Sequence, residues 1–219
     1  MTTPKRGGGG MSEQRRLRLR LEISREAARL FWEQGVAATS GEQIAAAVGL
    51  SVRTIWRHFR SKESCAEPIV TQGVEWFMEV LRSWPRGSSL EAHLAAETLK
   101  RGHEMRPAEL ADDMLATRMI ALGDTEPALR TAWLMACDQI EREMVTILAG
   151  RLGRPADDLE VRLHAATATS VVRVMDEHIG SAVLAGVPFA GFDDLESLTE
   201  RFAASVRSAT GGAVGDPVD

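Results

Sequence analysis

The chain has no tyrosine, two cysteines and only 5% aromatic residues in a length of 219. Residues that favour strands are scarce, whereas Ala, Leu, Arg and Glu are abundant, so we expect an all-α fold. The two cysteines, Cys65 and Cys137, lie too far apart for a CxxC site or a disulfide framework, which favours a reducing, cytoplasmic compartment. Because no run of about 18 apolar residues is present, the sequence predicts no membrane-spanning helix.

The first ten residues contain Lys5, Arg6 and four consecutive glycines. No apolar segment follows them, so they do not have the pattern of a secretory signal. We expect residues 1–12 to form a disordered leader, with Met11 as an alternative start. Residues 210–219 are rich in glycine, and we expect them to form a disordered tail.

Charge is divided unevenly along the chain. Residues 1–62 contain 12 Lys and Arg against 5 Asp and Glu, a net charge of +7, whereas the remainder contains 14 against 26, a net charge of −12. The total of −5 therefore hides a basic N-terminal part. This distribution predicts that only the N-terminal part contacts a polyanion, although a short basic end also arises by chance.

Apolar residues recur at helical spacing along most of the chain, and Ser, Asp, Pro and Gly mark where helices begin and end. We predict a small helical domain at residues 13–62 and a larger one at residues 63–209. The predicted helices cover about residues 13–33, 40–48, 51–59, 61–84, 88–103, 107–122, 125–152, 158–184 and 193–209.

Residues Ser40–Phe59 have the pattern of a short helix, a tight turn and a second short helix. Ser40 followed by Gln43 is a capping-box pattern, and Gly49 tolerates the left-handed backbone that the turn requires. Ser51 is placed to cap the second helix. Small residues in the first helix and a glycine in the turn are typical of the helix-turn-helix.

The second helix of this element has an apolar and a polar face. The apolar face consists of residues that we expect to pack in the core: Val52, Ile55 and Phe59. The polar face carries Arg53, Thr54 and Arg57. This arrangement suits a helix that packs on one side and reads DNA on the other.

The stretch Phe31–Ser64 resembles the DNA-binding domain of the TetR family of transcriptional repressors. The matching pieces are Phe31…Gly35, Thr39–Ser40, Ile44–Ala45, Gly49–Leu50–Ser51, Thr54 and His58–Phe59…Ser61–Lys62–Glu63. The resemblance implies an N-terminal three-helix DNA-binding domain with a helix-turn-helix, followed by a larger helical domain that binds a small ligand and forms a homodimer.

The resemblance also implies roles for single residues in binding double-stranded operator DNA. Arg53 and Thr54 would approach base edges, since Arg suits guanine and the Thr methyl group suits thymine. Lys62 would bind phosphate at a helix N-terminus, and Thr39, Ser40 and His58 would bind phosphate as well. The residues expected to contact DNA are Thr39, Ser40, Ser51, Arg53, Thr54, Trp56, Arg57, His58 and Lys62.

Several of these residues have a structural alternative. The family usually has Tyr where this chain has Trp56, and an indole offers no hydroxyl, so Trp56 could equally pack in the core. His58 could be a packed histidine, and Arg57 a solvated charge. Further non-specific attraction to DNA could come from the arginines that precede the element: Arg15, Arg16, Arg18 and Arg20.

The larger domain contains aromatic and methionine residues that could line a small-molecule site, although any helical bundle has such residues and each one taken singly is more often core. The candidate ligand-binding residues are Trp76, Met105, Met114, Met119, Trp133 and Met175. The resemblance implies that the last two helices, about 158–184 and 193–209, form the dimer interface. Pro127–Arg130 and Leu152–Asp158 resemble a branch of the family thought to sense acyl-CoA-like molecules.

The sequence has no pattern that indicates catalysis or metal binding. His93 and His103 are ten residues apart, and Glu177–His178 is a single pair, so neither has metal-ligand spacing. We therefore expect no enzyme and no cofactor. Two alternatives are a catalytic helical protein whose N-terminal module only mimics a helix-turn-helix, and a carrier of apolar ligands that has lost DNA binding. The missing catalytic constellation and the basic recognition face argue against them.

Overall fold

The computed structural model describes the backbone of residues 9–187 and 192–218, and the side chains of 12–187 and 195–218. Within these ranges the regular structure is helical, which confirms the all-α prediction, and no helix there is long and apolar enough to cross a membrane. The α-helices are α1 (Gly9–Gln34), α2 (Gly41–Ala47), α3 (Val52–His58), α4 (Glu67–Arg82), α5 (Leu90–Glu104), α6 (Pro107–Leu122), α7 (Pro127–Leu152), α8 (Leu159–Leu184) and α9 (Phe192–Ala209). A short 3₁₀ helix (Glu63–Ala66) precedes α4.

The chain divides into two compact units, the head (residues 1–69) and the body (residues 70–219). The sequence predicts the boundary at residue 62, whereas the head continues to Ile69. The 3₁₀ helix packs against α1, and the Ile69 amide donates a hydrogen bond to the buried Ser24 hydroxyl at 3.0 Å. These contacts hold the segment after Lys62 in the head.

The head is built from α1, α2 and α3, with α2 packed against both of its neighbours. Its core contains apolar residues from each helix, among them Ile23, Phe31, Ile44 and Ile55, which are fully or almost fully buried. A buried side chain of this size contributes about 1.5–3 kcal/mol to folding. This small core therefore fixes the positions of the two short helices.

The body is built around α8, which packs against α6, α7 and α9, while α5 packs against α9. The Phe77 ring of α4 meets the Phe202 ring of α9 edge to face, with ring centroids 4.9 Å apart. Gly153 ends α7 in the left-handed conformation (φ 65°), as expected for a glycine that stops a helix.

The prediction of a disordered tail is wrong for residues 210–218. The Leu90 amide donates to the Gly215 carbonyl at 2.8 Å, and the Val218 amide donates to the Arg86 carbonyl at 2.9 Å. Val214 is buried. The leader prediction also fails in part, because α1 already begins at Gly9; residues 1–8 lie outside the described residues.

One buried arginine ties the end of α7 to the tail and to the segment before α5. Arg151 is 5% exposed, and its guanidinium carbon lies 3.4 Å from the centre of the Trp84 ring. Its nitrogens donate to backbone carbonyls at 2.8–3.1 Å, namely those of Pro85, Arg86, Ser88 and Asp216. Arg151 is therefore a major internal connection of the body.

Candidate DNA-binding site and ligand cavity

The N-terminus of α2 has the capping box that the sequence predicts. The backbone amide of Gln43 donates to the Ser40 hydroxyl at 3.2 Å, and the backbone amide of Ser40 donates to the Gln43 side-chain oxygen at 2.7 Å. The turn after α2 uses Gly49 at φ 67°, a left-handed conformation that suits glycine. The predicted helix, turn and cap positions are therefore confirmed.

The start of α3 is held by Ser51, whose hydroxyl accepts from the Thr54 amide at 3.2 Å. The Ser51 and Thr54 hydroxyls also lie 2.9 Å apart. Ile55 and Phe59 are buried as predicted, whereas Val52 is only half-buried. Two basic side chains of this helix are exposed, with no ion pair to any described residue: Arg53 and Arg57.

Arg20 of α1 holds the C-terminal end of α3. Its guanidinium donates to the His58 carbonyl and lies over the Phe59 ring, with the guanidinium carbon 4.5 Å from the ring centre. The sequence offered Arg20 only as a source of non-specific attraction. Its role in positioning α3 depends on a long-range contact that helical spacing does not reveal.

Trp56 lies against the first turn of α2. It is 43% exposed, so the alternative of a core tryptophan is wrong. A Cβ placed on Gly41 would lie 2.2 Å from Cζ2 of the indole, which is closer than any normal contact. Trp56 therefore requires a glycine at the residue that opens α2.

Thr39 and Lys62 do not face outward as predicted for phosphate ligands. Thr39 is 2% exposed, and its hydroxyl donates to the Gly35 carbonyl at 2.8 Å. The Lys62 ammonium donates to the carbonyls of Val36 at 2.6 Å and Thr39 at 2.8 Å. Both side chains hold the turn between α1 and α2 in place, which argues against the predicted phosphate contacts.

His58, at the end of α3, is half-buried, and its Nε2 atom has no hydrogen-bond partner among the described residues. Burial, followed by the charges of Arg57 and Arg20, lowers the pKa of His58 below its ordinary value. The histidine is therefore held in its neutral form near pH 7 unless an anion approaches it.

The body contains a cavity of about 340 Å³ lined by α4, α5, α6, α8 and α9. Four of the predicted ligand-binding residues line it: Trp76, Met105, Met114 and Met175. The prediction is wrong for Met119 and Trp133, which are fully buried in the core and do not line this cavity. Sequence reasoning missed Arg101, Asp113 and Asp176, because isolated charges on long helices have no motif.

The cysteines and the metal-ligand residue types form no further site in the described part of the chain. Cys65 and Cys137 are free and buried, and burial raises the pKa of each thiol to about 12. Within the described residues, no group of three or more His, Cys, Asp or Glu side chains is arranged to hold a metal ion.

Two short helices joined at Gly49, with an exposed basic face on the second, define a helix-turn-helix DNA-binding protein. Residues 23–69 match the family model of the bacterial regulatory proteins of the tetR family, and residues 92–200 match the MftR C-terminal domain. The HTH-type transcriptional regulator TcmR from Streptomyces glaucescens is 34% identical over 154 residues, covering 69% of this chain and 68% of that protein. The chain therefore belongs to the TetR family of transcriptional regulators, which are not enzymes.

Solved structures share the fold at lower identity. A TetR-family regulator from Mesorhizobium loti is 20% identical, with a TM-score of 0.53 over 89% of this chain and 98% of its own. GusR from Salmonella enterica is 21% identical, with a TM-score of 0.53 over 86% and 95%. A regulator from Streptomyces coelicolor is 17% identical, with a TM-score of 0.55 over 91% and 86%. These similarities support the fold alone.

Proposed function

We propose that the protein is a repressor that binds operator DNA through α3 and leaves it when a small, largely apolar ligand occupies the body. The observation that carries the DNA-binding part is the exposure of Arg53 and Arg57, which form no ion pair with the described residues, within the basic end of the chain. Arg53 and Thr54 read base edges in the major groove, while Ser40, Ser51 and Trp56 contact the DNA backbone.

Release requires that the ligand bind the DNA-free state more tightly than the DNA-bound state. The cavity supports an apolar effector, because most of its lining is aliphatic, aromatic or methionine. An acyl-CoA-like effector is the narrower proposal from the sequence. Its acyl chain suits the lining, but Pro127–Arg130 and Leu152–Asp158, on which that proposal rests, do not line the cavity.

The dimer that we propose uses α8 and α9. Four large apolar residues on α8 are at least 47% exposed: Leu159, Leu163, Val174 and Leu184. Their spacing places them along one helix face, and an apolar face of this kind favours association with a second copy. On α9 the exposed positions are small or polar and include Ala204, which permits close packing. Bacterial DNA lies in the cytoplasm, and a protein that binds it must reach it there, so we propose a cytoplasmic location.

The test is a gel shift with DNA from upstream of the protein's own gene. Wild-type protein should retard this fragment at low salt. The Arg53→Ala variant should lose about 1–3 kcal/mol of operator affinity and bind operator and random DNA more equally, because the lost contact is to a base.

Arg142→Ala is the matched control, since Arg142 is an exposed arginine of the body that pairs with the exposed Asp138. It should leave operator affinity unchanged. Lys62→Ala is a poor probe of phosphate binding, because Lys62 holds the turn before α2. Absence of retardation by wild type, or an equal loss on operator and random DNA for Arg53→Ala, would contradict the proposed role.

A further inference from the structure

Asp176 of α8 places a carboxyl group at the wall of the cavity in the body. The surrounding lining is mainly apolar and includes the aromatic rings of Trp76 and Phe77. A carboxylate in such surroundings is costly unless a cation or several hydrogen-bond donors compensate for the lost water. The other charged and polar groups of the body decide whether such compensation is present.

The arginine that lines the cavity, and the arginines that contact the adjacent Glu177, are already engaged by other carboxylates. Arg101 forms an ion pair with Asp113, with 2.5 Å between a guanidinium nitrogen and a carboxylate oxygen. Its guanidinium carbon is 4.5 Å from the centre of the Trp76 ring. Glu177, next to Asp176 in sequence, accepts from Arg130 at 2.6 Å and from Arg173 at 3.2 Å.

Trp133 adds a third donor to Glu177, since its indole N–H lies 3.3 Å from the carboxylate. The donors of Arg130, Arg173 and Trp133 are therefore all engaged by Glu177. Within the described residues, no hydrogen-bond donor or cation partners the Asp176 carboxyl. Asp176 is the lining acid that remains without a partner, whereas Asp113 has Arg101.

Burial, together with the adjacent charge of Glu177, raises the pKa of Asp176 to about 7. The carboxyl therefore exchanges between its neutral and charged forms near neutrality. A cation placed beside it would favour the carboxylate, whereas an anion would meet a site whose uncompensated charge is already negative.

We propose that Asp176 anchors the effector, and that this effector is an apolar, ring-containing molecule that carries a basic amine. The ammonium group pairs with Asp176, and the ring system occupies the apolar part of the cavity beside Phe77. This inference rests on the proposed function, because it names the class of ligand that the body senses. A ligand of this size and chemistry fits a cavity of about 340 Å³.

The test compares probes that share one ring system and differ in charge: 1-naphthylmethylamine, 1-naphthalenemethanol and 1-naphthoate. Octanoyl-CoA represents the acyl-CoA alternative. Binding to the full chain is measured by isothermal titration calorimetry without DNA. The amine should bind at least about tenfold more tightly than the other probes, since only it carries a positive charge that compensates the Asp176 carboxylate. Equal or tighter binding of the alcohol, naphthoate or octanoyl-CoA would overturn the proposal.

Asp176→Asn should weaken amine binding at least about tenfold and leave alcohol binding unchanged, which also shows that the variant is folded. Asp138→Asn, on the exposed surface of α7, is the matched control and should change neither. An unchanged amine affinity in Asp176→Asn would contradict the assignment. Wild type provides a check without any variant, because amine affinity should fall as the pH drops from 8 to 6 while alcohol affinity stays constant.

Gel shifts run in parallel separate this inference from the proposed function. If wild type fails to retard the operator, the proposed function fails, while calorimetry still decides the role of Asp176. If the operator is retarded and the amine binds through Asp176, added amine should release the DNA. Binding without release would overturn the amine as effector class.

Discussion

In the head, the candidate DNA-binding groups come largely from one short stretch, Ser40–Phe59, whereas in the body the cavity draws side chains from five helices. The head also exposes basic side chains, while in the body Arg151 is buried and Asp176 lines the mainly apolar cavity. A local element can be identified from residue order. A cavity assembled from distant residues depends on how the helices pack.

The largest expected effect is on the buried charge of the body. Arg151→Ala removes a side chain that donates hydrogen bonds to several backbone carbonyls, and it leaves a gap beside Trp84. The substitution removes these hydrogen bonds together with a large buried side chain, so we expect the free energy of unfolding to fall by about 3–5 kcal/mol. Chemical denaturation followed by far-UV circular dichroism measures this change.

Arg142→Ala supplies the comparison within the same helix. Arg142 pairs with Asp138 on the exposed surface, and such pairs contribute about 0–1 kcal/mol. If the two substitutions destabilise the protein equally, Arg151 is not the internal connection that its contacts indicate. The comparison of a buried with an exposed arginine would then lose its physical basis.

The same contrast explains which features the sequence could predict. The caps at Ser40 and Ser51 and the turn at Gly49 depend on neighbours within three residues, and the structure has all of them. The resemblance predicts phosphate contacts for Thr39 and Lys62 because it transfers a position in the sequence, not the direction in which the side chain points. Their side chains turn inward to the backbone carbonyls near the end of α1.

In the body, helix boundaries such as Pro107–Leu122 were predicted correctly because proline and glycine mark them. The residues that line the cavity are predicted only in part. Met114 and Met119 both lie on α6, yet one lines the cavity and the other is core. Composition and spacing do not distinguish these positions, because the difference depends on which helix packs against each face.

A smaller effect is expected at the contact of α2 with α3. Gly41→Ala places a methyl group against the Trp56 indole, so it should destabilise the head by about 1–3 kcal/mol. The usual effect of this change within a helix is a gain of about 1 kcal/mol, since alanine is the better helix former. The sign of the change, measured by chemical denaturation, therefore reports on the indole.

A double-mutant cycle isolates that contact. In the Trp56→Ala background the added methyl group has no ring to meet, so Gly41→Ala should become neutral or stabilising. Operator affinity should follow the same order if the indole keeps α3 in position. A loss of stability that persists without Trp56 would show that Gly41 is needed for another reason.

The smallest effect concerns pH and the end of α3. His58 has a lowered pKa in the folded head, so the unfolded chain takes up the proton first as the pH falls. The histidine costs no stability above its ordinary pKa of about 6.5. As the pH drops below that value, the unfolded state gains the proton and the head becomes less stable.

Variants at His58 and Arg57 test whether burial lowers the pKa of His58 more than the charge of Arg57 does. His58→Gln should reduce the loss of unfolding free energy between pH 7.5 and 5.5, measured by chemical denaturation at each pH, because the group that takes up the proton is gone. Arg57→Gln should reduce the loss by a smaller amount, since burial is the larger cause and the charge of Arg57 the next. If both variants keep the wild-type slope between pH 7.5 and 5.5, the acid sensitivity of the head in this range does not come from His58. In that case the half-buried His58 is held no differently from a histidine in water.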